Sequence, residues 1–284
     1  MQHAARAQLH HHLHAGDLLV ANDAATIPAS LSGRHEPTGA PIEVRLAGRR
    51  SLKGSDVHEF TAIVFGSGDH RSRTEDRPAP PELRRGDVLT LGSVKATVLS
   101  LLDHPRLVAL RFKGTPGAIW ASIAHHGKPI QYAHIEQTMA LWDVWTRLAA
   151  LPVAFESPSA SFLIDWQLLS LLKERGIGFA TLTHAAGISS TGDPVLDARL
   201  PFEEPYHLPG STVLAIARTL EQGGRIVALG TSVTRAIEHA ARDGAIRSGG
   251  GLATQHIGAH TTLRVVGIWS CLLASLGPAG GTHV

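Results

Sequence analysis

The stretch Ile226-Val227-Ala228-Leu229-Gly230-Thr231-Ser232-Val233-Thr234-Arg235-Ala236-Ile237-Glu238 sets the pattern for the second half of this chain. Four apolar residues in a row read as a short buried strand, a glycine ends it, and hydroxyl residues open a helix expected over residues 232–242. A strand that turns through glycine into a helix gathers the backbone N–H groups of the first helical turn at one spot, which suits an anion or a carboxylate. The stretch is not a Walker loop and lacks G-x-G-x-x-G, so neither a phosphate-cradling NTPase nor a nicotinamide enzyme is indicated. Arg235 and Glu238 stand one turn apart and read either as site groups or as an exposed i, i+3 ion pair.

Working upstream, the same alternation repeats. Asp165 is placed to cap a helix running to about Glu174 and ended by Gly176, and residues 177–182 then read as a strand. Ser211 is expected to cap a helix to Gln222, ended by Gly223-Gly224. Helix alternating with strand implies an α/β layer. Near the N-terminus residues 18–21 read as a buried strand, residues 22–31 with Pro28 as a loop, and residues 42–46 as a half-buried strand of alternating apolar and charged residues.

Between these parts the character changes. Short β-like runs at residues 59–65, 88–91, 94–102 and 107–112 are separated by Gly/Pro/Asp turns, the pattern of a small antiparallel barrel or sandwich. Val88, Leu89, Val94, Val98, Leu107 and Leu110 are expected to point inward, and residues 70–81 to form an exposed loop. Thr115 and Pro116 then open a helix to Ala124. The expected fold is an α/β main domain, residues 1–50 and 114–284, carrying a small inserted antiparallel β-barrel-like domain, residues 51–113.

Composition excludes several classes. With 43% hydrophobic and 18% charged residues, the chain is globular rather than disordered or coiled. No apolar run is long enough to span a bilayer, the first residues lack a secretory layout, and the lone Cys271 fits a reducing cytosol. A net charge of +2 is well short of the basic stripe of a dedicated nucleic-acid binder. His10, His11, His12 and His14 cluster without a Cys or carboxylate at ligand spacing, so a solvated segment is expected there and no metal site.

Three strand-end junctions carry the chemistry. After the first strand, Asn22 and Asp23 offer amide and carboxylate groups that suit a ribose or base edge, or that simply make an Asx-turn. After the strand at 177–182, Thr183-His184-Ala185-Ala186-Gly187-Ile188-Ser189-Ser190 places a histidine that can serve as acid, base or anchor, or as a structural residue. The third is the Gly230-Thr231-Ser232 turn. His184, Asn22, Thr231 and Ser232 are expected to face one cavity, because α/β sheets collect ligands at strand ends.

The order of these junctions resembles the S-adenosylmethionine:tRNA ribosyltransferase-isomerase family of queuosine biosynthesis. Gly16-Asp17-Leu18-Leu19-Val20, Asn22, Ile27-Pro28-Ala29, Leu31 and Gly33-Arg34 resemble that family's Gly-Asp-Leu-Leu-Val…Asn-Asn-Thr-Arg-Val-Ile-Pro-Ala-Arg-Leu-x-Gly block. Further similar elements are Lys128 to Tyr132, Leu141-Trp142-Asp143-Val144-Trp145, Pro158-Ser159-Ala160-Ser161-Phe162, Thr183 to Gly187, Gly230 to Glu238 and Arg264-Val265-Val266. The resemblance implies transfer and isomerisation of the ribosyl group of S-adenosylmethionine onto 7-aminomethyl-7-deazaguanine in the tRNA anticodon, giving epoxyqueuosine. It also implies S-adenosylmethionine as co-substrate, no metal, and a cytoplasmic, monomeric enzyme. The binding positions it implies are Asn22, Thr26, Arg34, Tyr132, Ser159, Ser161, His184, Gly187, Gly230, Thr231, Ser232, Arg235 and Glu238, with His184 the catalytic candidate.

The departures are specific. Ala25 stands where the family has a basic residue, Phe162-Leu163-Ile164 lacks the family's histidine, and Ser189-Ser190 replaces Thr-Phe. Beyond Val266 nothing matches the family's Asn-Phe-His-Leu-Pro continuation; residues 267–284 read as a shifted or truncated end expected to pack poorly, unless residues 268–273 form a covering helix. Two other readings stay open, a divergent paralogue that binds a nucleoside or RNA without this chemistry and an unrelated S-adenosylmethionine-dependent transferase. The methyltransferase glycine motif is missing, which counts against the second.

Overall fold

The computed structural model describes residue 9, residues 11–258 and residues 260–270. Walking along the chain, β1 (Leu18–Asn22) and β2 (Ala24–Thr26) are followed by β3 (Ser30–His35), β4 (Pro41–Gly48), β5 (Glu59–Phe65), β6 (Val88–Leu91), β7 (Val94–Leu101) and β8 (Leu107–Phe112). Helix α1 (Pro116–His126), β9 (Gly127–Lys128) and β10 (Leu151–Ala154) lead into α2 (Trp166–Glu174), β11 (Gly178–His184), α3 (Pro194–Asp197) and β12 (Glu204–Leu208). The described part ends with α4 (Gly210–Glu221), β13 (Ile226–Leu229), α5 (Thr231–Ala240), β14 (Gly249–Ala253) and β15 (Ile268–Ser270).

Strands β3 to β8 form a closed antiparallel barrel of order β4-β5-β8-β7-β6-β3, shut by the β3–β4 pairing, with β9 added beside β3. Closure leaves no free barrel edge to template aggregation. The four strands expected between residues 59 and 112 are present, but two of the six staves come from before residue 51, so barrel strands begin at Ser30. Leu89, Val94, Val98, Leu107 and Leu110 are buried as expected, whereas Val88 is only half-buried. Neighbours on a strand face opposite ways, so Val88 cannot share the inner face with Leu89. Phe60 is buried in the barrel core, edge-on to Phe112 at 5.5 Å and to Phe155 at 6.2 Å.

The other sheet is mixed, in the order β14-β12-β11-β1-β13-β15. β11, β1, β13 and β15 run parallel, while β12 and β14 are antiparallel additions. All of β1 is buried, and its alternation explains how: Leu18 and Val20 join the apolar cluster under α4 and α5, and Leu19 and Ala21 join that under α2. A strand covered on both faces reads as a continuous apolar run. Helix starts follow the expected caps at Thr115, which accepts from the Ala118 N–H, and Asp165, which accepts from the Leu168 N–H at 2.7 Å. No helix among the described residues is long and apolar enough to cross a membrane.

Several expectations need correcting. Residues 22–31 are not one loop: β2 pairs in parallel with β10, a partner far along the chain that no local pattern announces. Pro209, not Ser211, is the N-cap of α4, and Ser211 lies inside its first turn. The late strand β15 adds to the sheet edge beside β13, so residues 268–270 form a strand and not the start of a covering helix. The remaining tail, residues 271–284, lies outside the described residues.

The half-buried strand expected at residues 42–46 is fully enclosed. Glu43 and Arg45 are both buried, and so is Arg77 from the stretch expected to be an exposed loop. Arg77 bonds Glu43 directly and donates to the carbonyls of Gly68 at 3.0 Å and Asp69 at 3.1 Å, so the loop is pinned to the barrel by its own charge.

Candidate functional site

Parallel strands put their C-terminal ends on one side, and here β11, β1 and β13 bring Asn22, His184 and the Gly230-Thr231-Ser232 turn together. The chain passes from one side of β1 to the other between β12 and β13, so these strand ends mark the topological switch point of the sheet. The buried Asn22 side-chain amide bridges the ends of β1 and β11 and the start of α5. Its Nδ2 donates to the His184 carbonyl at 3.0 Å and to Ser232 Oγ at 3.4 Å, and its Oδ1 accepts from the His184 N–H at 3.0 Å. The same Oδ1 accepts from the Ala24 N–H at 3.0 Å, which is the Asx-turn. Ser161 Oγ donates to the Asn22 carbonyl at 2.9 Å.

Gly230 caps α5 with φ 95, and a Cβ there would come within 3.1 Å of Ala160. Only glycine takes that turn without strain. Of the turn residues, Thr231 is exposed and Ser232 half-exposed, while the first N–H groups of α5 have no partner within the helix. This is the accessible, positively polarised part of the site.

His184 is not accessible. Its ring is enclosed, neither ring nitrogen has a hydrogen-bond partner among the described residues, and Nε2 lies 3.4 Å from Glu204 Oε2. Burial, helped by Arg235, pushes its pKa down to about 3. The ring is therefore neutral near neutral pH in this arrangement, and it is the His184 backbone that meets Asn22.

Arg235 and Glu238 face inward and do not pair with each other. The Arg235 guanidinium bonds Glu204, donates through Nε to the Gln255 carbonyl at 2.8 Å, and through Nη2 to the carbonyls of Phe202 at 2.9 Å and Ala253 at 3.0 Å. Glu238 accepts the backbone N–H groups of Arg264, Val265 and Val266 at 2.8–3.0 Å, which ties the segment before β15 to α5. The i, i+3 spacing puts them on one face, and that face is the core.

Glu204 also holds the loop after β11, accepting the Gly187 N–H at 2.5 Å. A Cβ on Gly187 would sit 2.8 Å from the Ala47 carbonyl oxygen of the barrel and 3.1 Å from Glu204 Oε1. Gly187→Ala is expected to cost about 1–3 kcal/mol, since a backbone oxygen must move. Urea denaturation checks this; a loss below the scatter of the measurement would show that the barrel and sheet are not in register through this loop.

The same loop leads to a cleft of about 420 Å³ lined by Arg73, Thr74, Glu75, Tyr132, Ala133, His134, Ser189 and Ser190. The Tyr132 hydroxyl meets Glu156 and Ser190 there. The other expected positions lie elsewhere or inside. Thr26 is buried, its Oγ1 donating to the Val144 carbonyl at 3.2 Å, Ser159 is half-buried in the turn before α2, and Arg34 is exposed on the β3–β4 hairpin, where it bonds the Gly39 carbonyl. No motif singles out Glu156 or Glu204, and sequence reasoning missed both.

Over residues 1–269 the chain matches the family model described as queuosine biosynthesis protein. It is 32% identical over 240 residues to the S-adenosylmethionine:tRNA ribosyltransferase-isomerase of Pelobacter propionicus, covering 81% of this chain and 64% of that one. It is likewise 32% identical over 239 residues to the protein of that name from Thermosynechococcus vestitus, covering 82% and 62%. The chain thus spans a little under two thirds of the length of these curated relatives. The solved S-adenosylmethionine tRNA ribosyltransferase of Thermotoga maritima aligns over 92% of this chain and 69% of its own, with 21% identity and a TM-score of 0.37.

Proposed function

The chain belongs to the queuosine biosynthesis protein family, and from that premise we propose that it transfers and isomerises the ribosyl moiety of S-adenosylmethionine onto 7-aminomethyl-7-deazaguanine in tRNA, giving epoxyqueuosine-tRNA. In this reading it works as a cytoplasmic monomer on the anticodon loop, with S-adenosylmethionine as co-substrate and no metal. The feature that supports the reading is the junction at the ends of β1, β11 and β13, where Asn22 bonds the His184 backbone and Ser232.

The chemistry asks for little covalent help from the protein. A sulfonium is a cation with a neutral leaving group, so methionine departs as the thioether. The tRNA amine forms the new C–N bond and gives up a proton, adenine leaves carrying one, and the ribosyl group loses a second proton as its own rearrangement to the epoxide fills the remaining valence. What the protein must supply is a held geometry with groups aimed at charge. The turn at Thr231 and Ser232 is proposed to take the carboxylate of the methionyl part, because free N–H groups and the helix dipole favour negative charge. Asn22, Ser161 and Gly230 are proposed to shape this junction, and His184 and Gly187 to carry the loop that leads to the Tyr132 cleft. Arg235 and Glu238 are proposed to act through position, by fixing α5.

The test is adenine release. The purified chain, given S-adenosylmethionine and a tRNA bearing the aminomethyl-deazaguanine, is expected to release adenine. Ser232→Ala is expected to raise KM for S-adenosylmethionine about 3- to 10-fold, the effect of one lost hydrogen bond of about 0.5–1.5 kcal/mol. S-adenosylmethionine binding without adenine release would favour a binding paralogue instead, and KM unchanged in the variant would remove the turn from the site.

A further inference from the structure

The loop from Gly187 to Thr191 is held by three acidic residues. Glu204 takes the Gly187 N–H at 2.5 Å, and Asp197 takes the Thr191 N–H and hydroxyl, both at 2.6 Å. Between them the loop rests on Tyr132 and Glu156. Further on, Gly192 lies so close to the 74–76 turn that a Cβ would be 2.4 Å from the Glu75 backbone nitrogen. The loop is therefore one wall of the cleft and the 74–76 turn is the other.

Counting protons at the middle support gives its state. The Tyr132 hydroxyl has one hydrogen, yet its oxygen faces two oxygens, a Glu156 carboxyl oxygen and the Ser190 carbonyl at 3.0 Å. The Ser190 N–H, at 3.3 Å, donates to it. If Glu156 were a carboxylate, both oxygens would be acceptors and one would confront a lone pair. If Glu156 carries a proton, it donates to Tyr132, Tyr132 donates on to Ser190, and every group is served.

We propose that Glu156 is a positioning residue standing behind the cleft as the neutral carboxylic acid, and that its proton, relayed through Tyr132 to the Ser190 carbonyl, holds the 189–190 wall in place. The surroundings agree. Burial pushes the Glu156 carboxyl up, against the pull of Ser189, Tyr132 and Arg45. Arg45, on β4, is a buried cation that acts on it, and its Nε is committed to Glu43 at 2.7 Å. At the rim, Arg73 and Glu75 pair with each other at 2.6 Å, and His134 lies parallel to the Tyr132 ring at 6.2 Å. Burial and the neighbouring carboxyl also keep the phenol proton on Tyr132.

The sign follows. A carboxyl raised above its unfolded value of 4.5 contributes stability fully present below that pH and lost as pH rises through the folded value. The experiment has three arms on the full chain. Near neutral pH, the infrared difference between wild type and Glu156→Gln is expected to show the C=O stretch of a protonated carboxylic acid. Amide exchange at Ser189 and Ser190 is expected to accelerate at least tenfold as pH rises through that titration in wild type. In Glu156→Gln, whose amide still donates to Tyr132, it should follow only the intrinsic pH trend, whereas Tyr132→Phe should exchange fast at every pH.

A carboxylate band near neutral pH, or a Glu156→Gln variant that exchanges like Tyr132→Phe, overturns the proposal. Because the cleft belongs to the site of the reaction proposed above, KM should rise with pH over the same window, and that clause alone rests on that reaction. Infrared and exchange results as expected, with no adenine released, would leave the positioning role standing and sink only the reaction.

Discussion

Replacing Arg235 by alanine is expected to lower the stability of the fold by about 3–5 kcal/mol, the cost of breaking a buried ion pair from one side. The size follows from how much the guanidinium holds. Besides Glu204 it serves three carbonyls, from Phe202, Ala253 and Gln255, so α5 is fastened to β12 and to β14 and its exit by one side chain. Without it Glu204 stays buried, and burial already raises its pKa against the pull of Arg235. The orphaned acid takes a proton, and three carbonyls go unpaired. Against a total stability of about 5–15 kcal/mol this approaches global unfolding. Chemical denaturation of Arg235→Ala, Glu204→Gln and the Glu204→Gln/Arg235→Met double variant measures it. The double variant should lose less than the sum of the singles, since the amide introduced by Glu204→Gln can still accept the Gly187 N–H. A single Arg235→Ala loss below about 1 kcal/mol, the size of one ordinary hydrogen bond, would mean the cluster is solvated and not part of the frame.

Glu43→Ala is expected to be of similar size, about 3–5 kcal/mol, for the opposite charge. Glu43 accepts from Arg45 Nε at 2.7 Å, from Ser30 Oγ at 2.8 Å and from Arg77. Its removal leaves two buried guanidiniums. Arg77 keeps its loop carbonyls, and Arg45 keeps the ring faces of Phe65 at 4.9 Å and Tyr132 at 5.7 Å. The pair also makes the barrel acid-sensitive. Burial works to raise the Glu43 pKa, and Arg45 and Arg77 together outweigh it, holding it below 4.5. A depressed carboxyl contributes stability present above its unfolded pKa and lost as pH falls through the folded one, so the wild type should weaken steeply below pH 4.5. A Glu43→Gln variant should be weaker near neutral pH and show a shallower acid slope. Equal slopes in the two proteins would place the acid sensitivity elsewhere.

Residues close together along the chain settle their own local structure, and that much is legible in the sequence. The strand–glycine–helix run of β13 and α5, the caps at Thr115 and Asp165, and the short strands between residues 59 and 112 all follow from periodicity and capping, which act over one or two turns. The three strand-end junctions are legible for the same reason, because a parallel strand followed by a turn must end at the common edge. Which residues at that edge meet solvent is a matter of long-range packing. Packing closed the barrel with β3 and β4, enclosed His184, and turned Arg235 and Glu238 into the core. Glu43 and Arg45 show why this could not be read ahead. Charges alternating with apolar residues are the mark of a solvated face, and the mark holds until a distant segment brings Arg77 to the same spot. A buried charge is tolerated only with its partner in place, and the partner's arrival is a property of the folded chain.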